Sequence, residues 1–332
     1  MTNQTPKIVV ITPVKNEAWI LDRFLAVTSQ FADHIIIADQ NSTDGSQIIC
    51  KNYPKVTLIE NKSEQFNEAE RQILLIEKAR ELVSEHKIIL ALDADEILAA
   101  NATQTLGWQS MLNAKAGTVL CFEKPNLYLT PNQYIRGQPS PHGYVDDGVE
   151  HKPSQIHSVR IPMPDYAPRL DIHEVKILHY AMIRPTGQAA KFRMYSVIEN
   201  ALSIGFILTR RRKYASNKLY IESGEAQVSP AQSDWFTGWE KLGIDMQTII
   251  RQKYYWQDFE VLQYFHKYGL RRFWLEDIWD LDWEACRLYA KSIGMRNIPE
   301  HKISEPPRII GVIASIFAAF YMNIRKFIKP YG

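Results

Sequence analysis

Three carboxylates stand within four residues at Leu92-Asp93-Ala94-Asp95-Glu96, directly after the apolar run Lys87 to Leu92. Clustered acids repel, and a divalent cation with a preference for oxygen ligands, Mg²⁺ or Mn²⁺, would neutralise them. Such ions bridge carboxylates to substrate phosphates, so the chemistry suggested is attack on a nucleotide-activated group with a diphosphate leaving. Acids after a strand can also cap the next helix, and an isolated D-x-D decides nothing between the two. More polar residues end neighbouring apolar runs: Thr12-Pro13-Val14-Lys15-Asn16-Glu17 after the first, and Asp39-Gln40-Asn41-Ser42-Thr43-Asp44-Gly45 after the second.

The elements that must position these groups follow from hydrophobic period. Ile8 to Thr12, His34 to Ala38, Val56 to Glu60 and Lys87 to Leu92 read as buried strands, and 16–31, 44–53 and 66–85 as helices. Strand and helix in strict alternation imply a parallel sheet with right-handed crossovers. Asp44 or Ser42 is expected to cap the second helix. Ligands of such sheets bind at the carboxyl ends of the strands, where all these polar groups emerge, so together they make one site. Past Gly117 the pattern breaks into short strand-like pieces, Thr118 to Glu123 and Ile156 to Ile161, within a proline-rich stretch, 125–170. From about 187 the chain turns helical, with Gln188 to Ile207, Asp245 to Gln257 and Asp258 to Phe273 as candidates, and a boundary is expected near 220.

The 332 residues suffice for about two domains. With 39 Lys and Arg against 37 Asp and Glu, the net charge of +2 argues against a polybasic nucleic-acid binder, and 45% hydrophobic residues argue against disorder. Cys50, Cys121 and Cys286 are widely spaced, odd in number and form no C-x-x-C pair, which suits a reducing, cytoplasmic compartment. The run Ile8 to Ile11 is too short for a signal peptide. Ile309 to Met322 is apolar or small throughout and precedes Arg325, Lys326 and Lys329; it is shorter than the ~20 residues that span a bilayer. Two readings of 306–328 stay open, an interfacial membrane helix and a core or oligomer helix.

In combination, T-P-V-K-N-E-A at 12–18, D-x-x-S-T-D-G-S at 39–46, Arg71 in the helix before the fourth strand and L-D-A-D-E at 92–96 resemble the family 2 inverting glycosyltransferases. A downstream His173-Glu174 and a further His179 make the chain similar to the bacterial branch that builds lipopolysaccharide cores and capsules. The resemblance covers about residues 7–185. It implies the GT-A fold, an α/β architecture with a Rossmann-like, mostly parallel central sheet and helices on both faces, here followed by a helical C-terminal extension. The implied division is a glycosyltransferase domain over 1–220, with a nucleotide-sugar half over about 7–100 and an acceptor half over 101–220, and a helical region over 221–332.

Residue by residue, the resemblance implies that Thr12, Pro13 and Glu17 line the base and ribose pocket and that Asp39 bonds the nucleobase. Arg71 would hold a phosphate or position the loop of Asp93, and Asp93 would contact the ribose or donor sugar. Asp95 would coordinate Mn²⁺ or Mg²⁺, with His179 as a further ligand. Inverting transfer needs a base for the acceptor hydroxyl; Glu174 takes that role by its place after the D-x-D, with Asp171 next and Asp146-Asp147 third. The partners implied are a nucleotide-sugar donor, a UDP-sugar first among them, and a glycan or lipid-linked acceptor in cell-surface polysaccharide or glycolipid synthesis, at the cytoplasmic side and peripheral to the membrane. Gln40-Asn41, where many members carry Asp-Gly, leaves the nucleotide open.

Two rivals are a sugar-nucleotide pyrophosphorylase, which opens with a glycine-rich loop that Thr12 to Asn16 lacks, and an inactive nucleotide-sugar-binding subunit, which would keep the same binding residues. Lys191 and Arg193 could reach a diphosphate or sit on a helix surface. Arg210-Arg211-Arg212-Lys213 could meet anionic lipid or end a solvated helix. Six of eight tryptophans, Trp235, Trp239, Trp256, Trp274, Trp279 and Trp283, follow residue 230; they stack on sugars or fill a core.

Overall fold

The computed structural model describes residues 5–61, 67–84, 86–154, 159–211, 213–214 and 227–328. The chain divides into two compact units, one of residues up to Ile183 together with Val228–Ile250, the other of Arg184–Gln227 with Arg251 onward. The sequence suggested one boundary near 220; instead the chain leaves the first unit at 183 and revisits it for 228–250.

The first unit begins with β1 (Lys7–Val14), α1 (Ala18–Thr28), β2 (His34–Asp39), α2 (Ser46–Lys51), β3 (Val56–Glu60), α3 (Glu68–Leu82) and β4 (Lys87–Ala91). The four strands lie parallel in the order β3-β2-β1-β4, as the alternation requires. β1 and β4 are apolar on both sides because both sheet faces are covered. Ile20, Phe24 and Leu25 of α1 pack on one face with Met111 of α4 (Leu106–Leu112); Leu75, Ile76 and Ala79 of α3 pack on the other. Asn67 caps α3, its Oδ1 accepting from the Glu70 amide at 3.3 Å.

Beyond β4 come β5 (Glu96–Leu98), β6 (Val119–Glu123), β7 (Asn126–Tyr128), β8 (Thr130–Ile135), β9 (Ser140–Val145) and β10 (Arg169–His179). β9 inserts antiparallel between β4 and β6, and β6 pairs parallel with β10. β10 carries a bulge between Ile172 and Lys176, after which its last residues pair antiparallel with β5, His179 opposite Glu96. Bulges bend strands, and this one takes the end of β10 from the main sheet to the D-x-D. β11 (Val228–Pro230) pairs with β8, and Trp235 and Trp239 enter the core, Trp239 Nε1 donating to Leu98 O at 2.8 Å.

The expected helix over Asp245 to Gln257 does not form. Asp245 Oδ1 accepts from the amides of Gln247 and Thr248 at 2.9 and 3.0 Å, and Arg23 donates to the carbonyls of Asp245 and Thr248. Those local bonds compete with the helical ladder. Of the expected strand Ile156 to Ile161, residues 156–158 lie outside the described residues and 159–161 form no strand.

The second unit is helical: α5 (Pro185–Ala201), a helical stretch over 207–211 and 213–214, α6 (Trp256–Tyr268), α7 (Trp283–Ser292) and α8 (Arg308–Ile328). Its core is aromatic, with Phe265 stacked on Trp279 (centroids 5.6 Å apart) and edge-on to Trp283. Arg193 spends its guanidinium there on Asp258 (2.8 Å) and Asp280 (3.2 Å). Arg210 bonds Glu276 at 2.8 Å, Arg211 bonds Leu275 O and Ser315 Oγ, and Lys213 pairs with Glu199; Arg212 lies outside the described residues. Neither a solvated helix end nor a lipid-facing patch describes the two buried arginines.

Candidate functional site

The loops after β1 and β2 are stapled together at the carboxyl edge of the sheet. The Asn16 amide donates to Ser42 Oγ (2.8 Å), the Thr43 amide to Asn16 Oδ1 (2.7 Å), the Glu17 amide to Ser46 Oγ (3.0 Å) and the Ala18 amide to Asp44 Oδ2 (2.8 Å). Asp44 also accepts from the Ser46 amide at the start of α2, as expected of a cap, while the Ser42 hydroxyl serves the first loop instead. Asn16 and Asn41 take left-handed backbone, at φ 56° and 51°, which asparagine tolerates better than most residues.

This staple encloses Asp39, which is 1% exposed. Its Oδ2 accepts from the Ser42 amide (3.1 Å) and Gln47 Nε2 (2.6 Å), whereas its Oδ1 is buried with no hydrogen-bond partner. On the adjacent strand, Thr12 Oγ1 is in the same state. Buried polar atoms without partners are costly; a ligand that brings N–H or O–H donors would satisfy both. Pro13 is half-buried beside Thr12. Glu17 accepts from Trp19 Nε1 at 2.6 Å, and Trp19 lines a cavity of about 670 Å³ with Arg23, Tyr53, Leu242 and Ile244. Arg71 is half-buried in the first turns of α3.

The D-x-D turn is organised from beneath by Glu96. This residue is fully buried, and its carboxylate accepts from Lys124 Nζ (2.9 Å) and from Arg160 Nη1 and Nη2 (2.7 and 3.0 Å), with His142 Nε2 3.6 Å away. Burial alone would raise its pKa; Arg160, Lys124 and His142 hold it well below the usual carboxylate range. Burial works against the charge on Arg160 too, and Asp93 and Glu96 outweigh it, so that its pKa rises. Glu96 Oε2 also accepts from the Asp93 amide at 2.9 Å, and Arg160 Nη1 sits 2.9 Å from Asp93 Oδ1. Of the three clustered acids, Glu96 is therefore buried among protein cations; Asp93 shares Arg160 with it, and Asp93 and Asp95 are partly exposed.

Asp95 meets His179. The Tyr180 amide donates to Asp95 O at 2.8 Å, and His179 Nε2 lies 3.7 Å from Asp95 Oδ2. His179 Nδ1 is 2.7 Å from Asn126 Oδ1, a contact that fixes the ring and directs Nε2 at the aspartate. An imidazole nitrogen whose ring is held by an amide oxygen, beside a carboxylate oxygen, would suit Mn²⁺ completed by phosphate and water; Mg²⁺, which prefers oxygen ligands, would rest on the carboxylate alone. Among the described residues no group of three or more His, Cys, Asp or Glu side chains is gathered as a ready cage.

The structure does not bring Glu174 or Asp171 to this group. Glu174 lies in the bulge of β10, five residues before His179. Its carboxylate sits over Gly107 of α4, where a Cβ would come within 2.7 Å of Oε2. Asp171 is eight residues before His179, against the Cys121 thiol. Asp146 bonds Arg80 and Lys87 at 2.8 and 3.2 Å, and Asp147 accepts from Tyr144 OH at 2.6 Å; both follow β9, at the opposite end of β4 from the D-x-D. Lys191 and Arg193 belong to the second unit. Arg160, Lys124, His142 and Asn126 are the site residues that sequence reasoning missed.

Residues 9–107 match the family model for glycosyl transferase family 2. The matched segment, just under a third of the chain, is the one that holds Thr12, Asp39, Arg71, Asp93 and Asp95. No curated protein matches the chain. Similar solved structures include a 4-diphosphocytidyl-2C-methyl-D-erythritol synthase, 15% identical, with a TM-score of 0.30 over 43% of this chain and 76% of that one. Another is the glucosyl-3-phosphoglycerate synthase of Mycobacterium tuberculosis in complex with Mn²⁺, uridine diphosphate and glucosyl-3-phosphoglycerate, 15% identical, with a TM-score of 0.26 over 36% of this chain and 44% of that one. A 4-diphosphocytidyl-2C-methyl-D-erythritol synthase from Anaerococcus prevotii is 13% identical, with a TM-score of 0.26 over 60% of this chain and 77% of that one. Likenesses this slight bear no weight on the chemistry.

Proposed function

We propose that the protein is a metal-dependent, inverting glycosyltransferase that moves a sugar, a hexose in the first instance, from a nucleotide donor to a glycan or lipid-linked acceptor. The observation that carries this is the pairing of Asp95 with His179, 3.7 Å apart, at the sheet edge that also holds Asp39. In this reading Asp39 Oδ1 accepts an N–H of the nucleobase and Thr12 bonds the ribose or base. Pro13 and Glu17 border that pocket, Arg71 holds a phosphate, and Asp93, steadied by Arg160, contacts the donor ribose or sugar. Asp95 and His179 hold Mn²⁺ or Mg²⁺. When bound, the ion supplies positive charge to the departing diphosphate.

Uracil would meet Asp39 Oδ1 with its imide N–H, and a UDP-sugar is the donor taken first. The proton of the acceptor hydroxyl is assigned neither to Glu174 nor to Asp171, which lie upstream in β10. Three free, buried thiols, Cys50, Cys121 and Cys286, fit a reducing cytoplasm as the compartment, with polysaccharide or glycolipid synthesis as the pathway class.

The test is calorimetric titration with a panel of nucleotide sugars, with Mn²⁺ and then with the metal chelated. Metal-dependent binding of one donor is the expected result. Equal binding with and without metal overturns the metal assignment, and no binding to any donor, with or without acceptor extracts, overturns the donor reading.

A further inference from the structure

α8 is built inside out. Ile309, Val312, Ile313, Ile316, Phe317 and Phe320 recur at helical spacing on one stripe, and each is 45–65% exposed. The small residues face inward: Ala314 and Ala318 are buried, and Gly311 O and Ser315 Oγ accept from Arg211 Nη2 at 3.1 and 2.8 Å. A core helix would present its large side chains inward, so that reading of 306–328 does not describe it. Phe206, 54% exposed, extends the apolar surface through its ring contact with Tyr321, centroids 5.3 Å apart. Exposed apolar surface of this extent marks an interaction site.

We propose that this face lies in the headgroup region of an anionic lipid bilayer, with α8 parallel to the surface. The helix has 21 residues, about 31 Å, and no helix of the described residues is long and apolar enough to cross a membrane. Charge identifies the occupant. From Arg308 to Gly332 the sequence holds Arg308, Arg325, Lys326 and Lys329 and no Asp or Glu. Such a segment complements an anionic surface, and cations beside an apolar stripe are the pattern of interfacial helices. A second copy of the chain would instead bring another acid-free, cationic segment against the first, which repels.

The inference does not depend on the glycosyl-transfer reading, and its test uses no nucleotide. The full chain is sedimented with vesicles of phosphatidylcholine alone and of phosphatidylcholine with phosphatidylglycerol, at low and high salt. Binding to the anionic vesicles, weakened by salt, is expected. The Ile316→Glu/Phe317→Glu double variant should lower the bound fraction at least about tenfold with an unchanged thermal midpoint, because both side chains are exposed. Arg325→Glu/Lys326→Glu should weaken binding to anionic vesicles as well. Wild-type protein that stays in the supernatant with both vesicles overturns the proposal, as does a double variant that binds like wild type. A dimer in sedimentation velocity that the double variant dissolves would make a second copy the occupant and equally overturn it.

Discussion

Two arginines, one in each unit, hold the same kind of cluster and serve different ends. Arg193 in α5 bonds a buried acid, Asp258, and a partly exposed one, Asp280; Arg160 bonds buried Glu96 and partly exposed Asp93. The pairing geometry barely differs. The surroundings do: burial outweighs the single cation beside Asp258 and pushes its pKa up, whereas Arg160, Lys124 and His142 overcome burial at Glu96. The extra cations keep a fixed anion beneath the D-x-D turn, and next to it stand groups without protein partners, Asp39 Oδ1 and Thr12 Oγ1, and the Asp95–His179 pair. An ion cluster closed on itself is architecture; one that borders unsatisfied polar atoms at a sheet edge is a site.

That contrast can be broken at several points. Asp95→Asn should lower turnover by about a thousandfold or more while leaving the thermal midpoint unchanged, read by initial rates at saturating Mn²⁺. Arg193→Met should do the reverse. By stranding buried Asp258 it costs about 3–5 kcal/mol of stability in urea unfolding, with donor affinity of the folded fraction retained. Arg160→Met should act on both counts, with about 10–100-fold lower kcat/KM and a reduced thermal midpoint. Asp39→Asn is expected to weaken donor binding about tenfold in calorimetry, and to leave the midpoint of the donor-free protein nearly unchanged, since the oxygen it alters, Oδ1, has no hydrogen-bond partner in the protein. The smallest effect is expected of Glu174→Gln, with turnover within about twofold of wild type; a thousandfold loss would return the base role to it.

Much of the first hundred residues was legible because buried parallel strands are β-branched runs and their carboxyl ends carry the polar residues. Asp39, Asp93 and Asp95 needed no long-range information to be placed on one edge. Glu174 was harder to place for the complementary reason. His173-Glu174 stands near His179 in sequence, but an extended strand moves ~3.3 Å per residue, and only the end of β10, bent by its bulge, pairs with β5 beside the D-x-D. Arg160 gave no sign of its role, because it sits in the stretch read as a strand, Ile156 to Ile161, and reaches Glu96 across 64 positions. The same holds for 245–257, whose helical pattern loses to carbonyl bonds from Arg23, more than two hundred residues away. In α8 the apolar run was plain, whereas which side faces out emerged only from the packing of Gly311, Ala314, Ser315 and Ala318.

The most direct test of a metal-assisted donor site at this edge is a crystal structure with uridine diphosphate and Mn²⁺, read by anomalous scattering at the manganese edge. The predicted result is a manganese peak bonded to Asp95 Oδ2 and His179 Nε2, the diphosphate on it and the uracil imide against Asp39 Oδ1. A peak away from that pair, or a nucleotide bound with Asp39 Oδ1 still unpartnered, would contradict it.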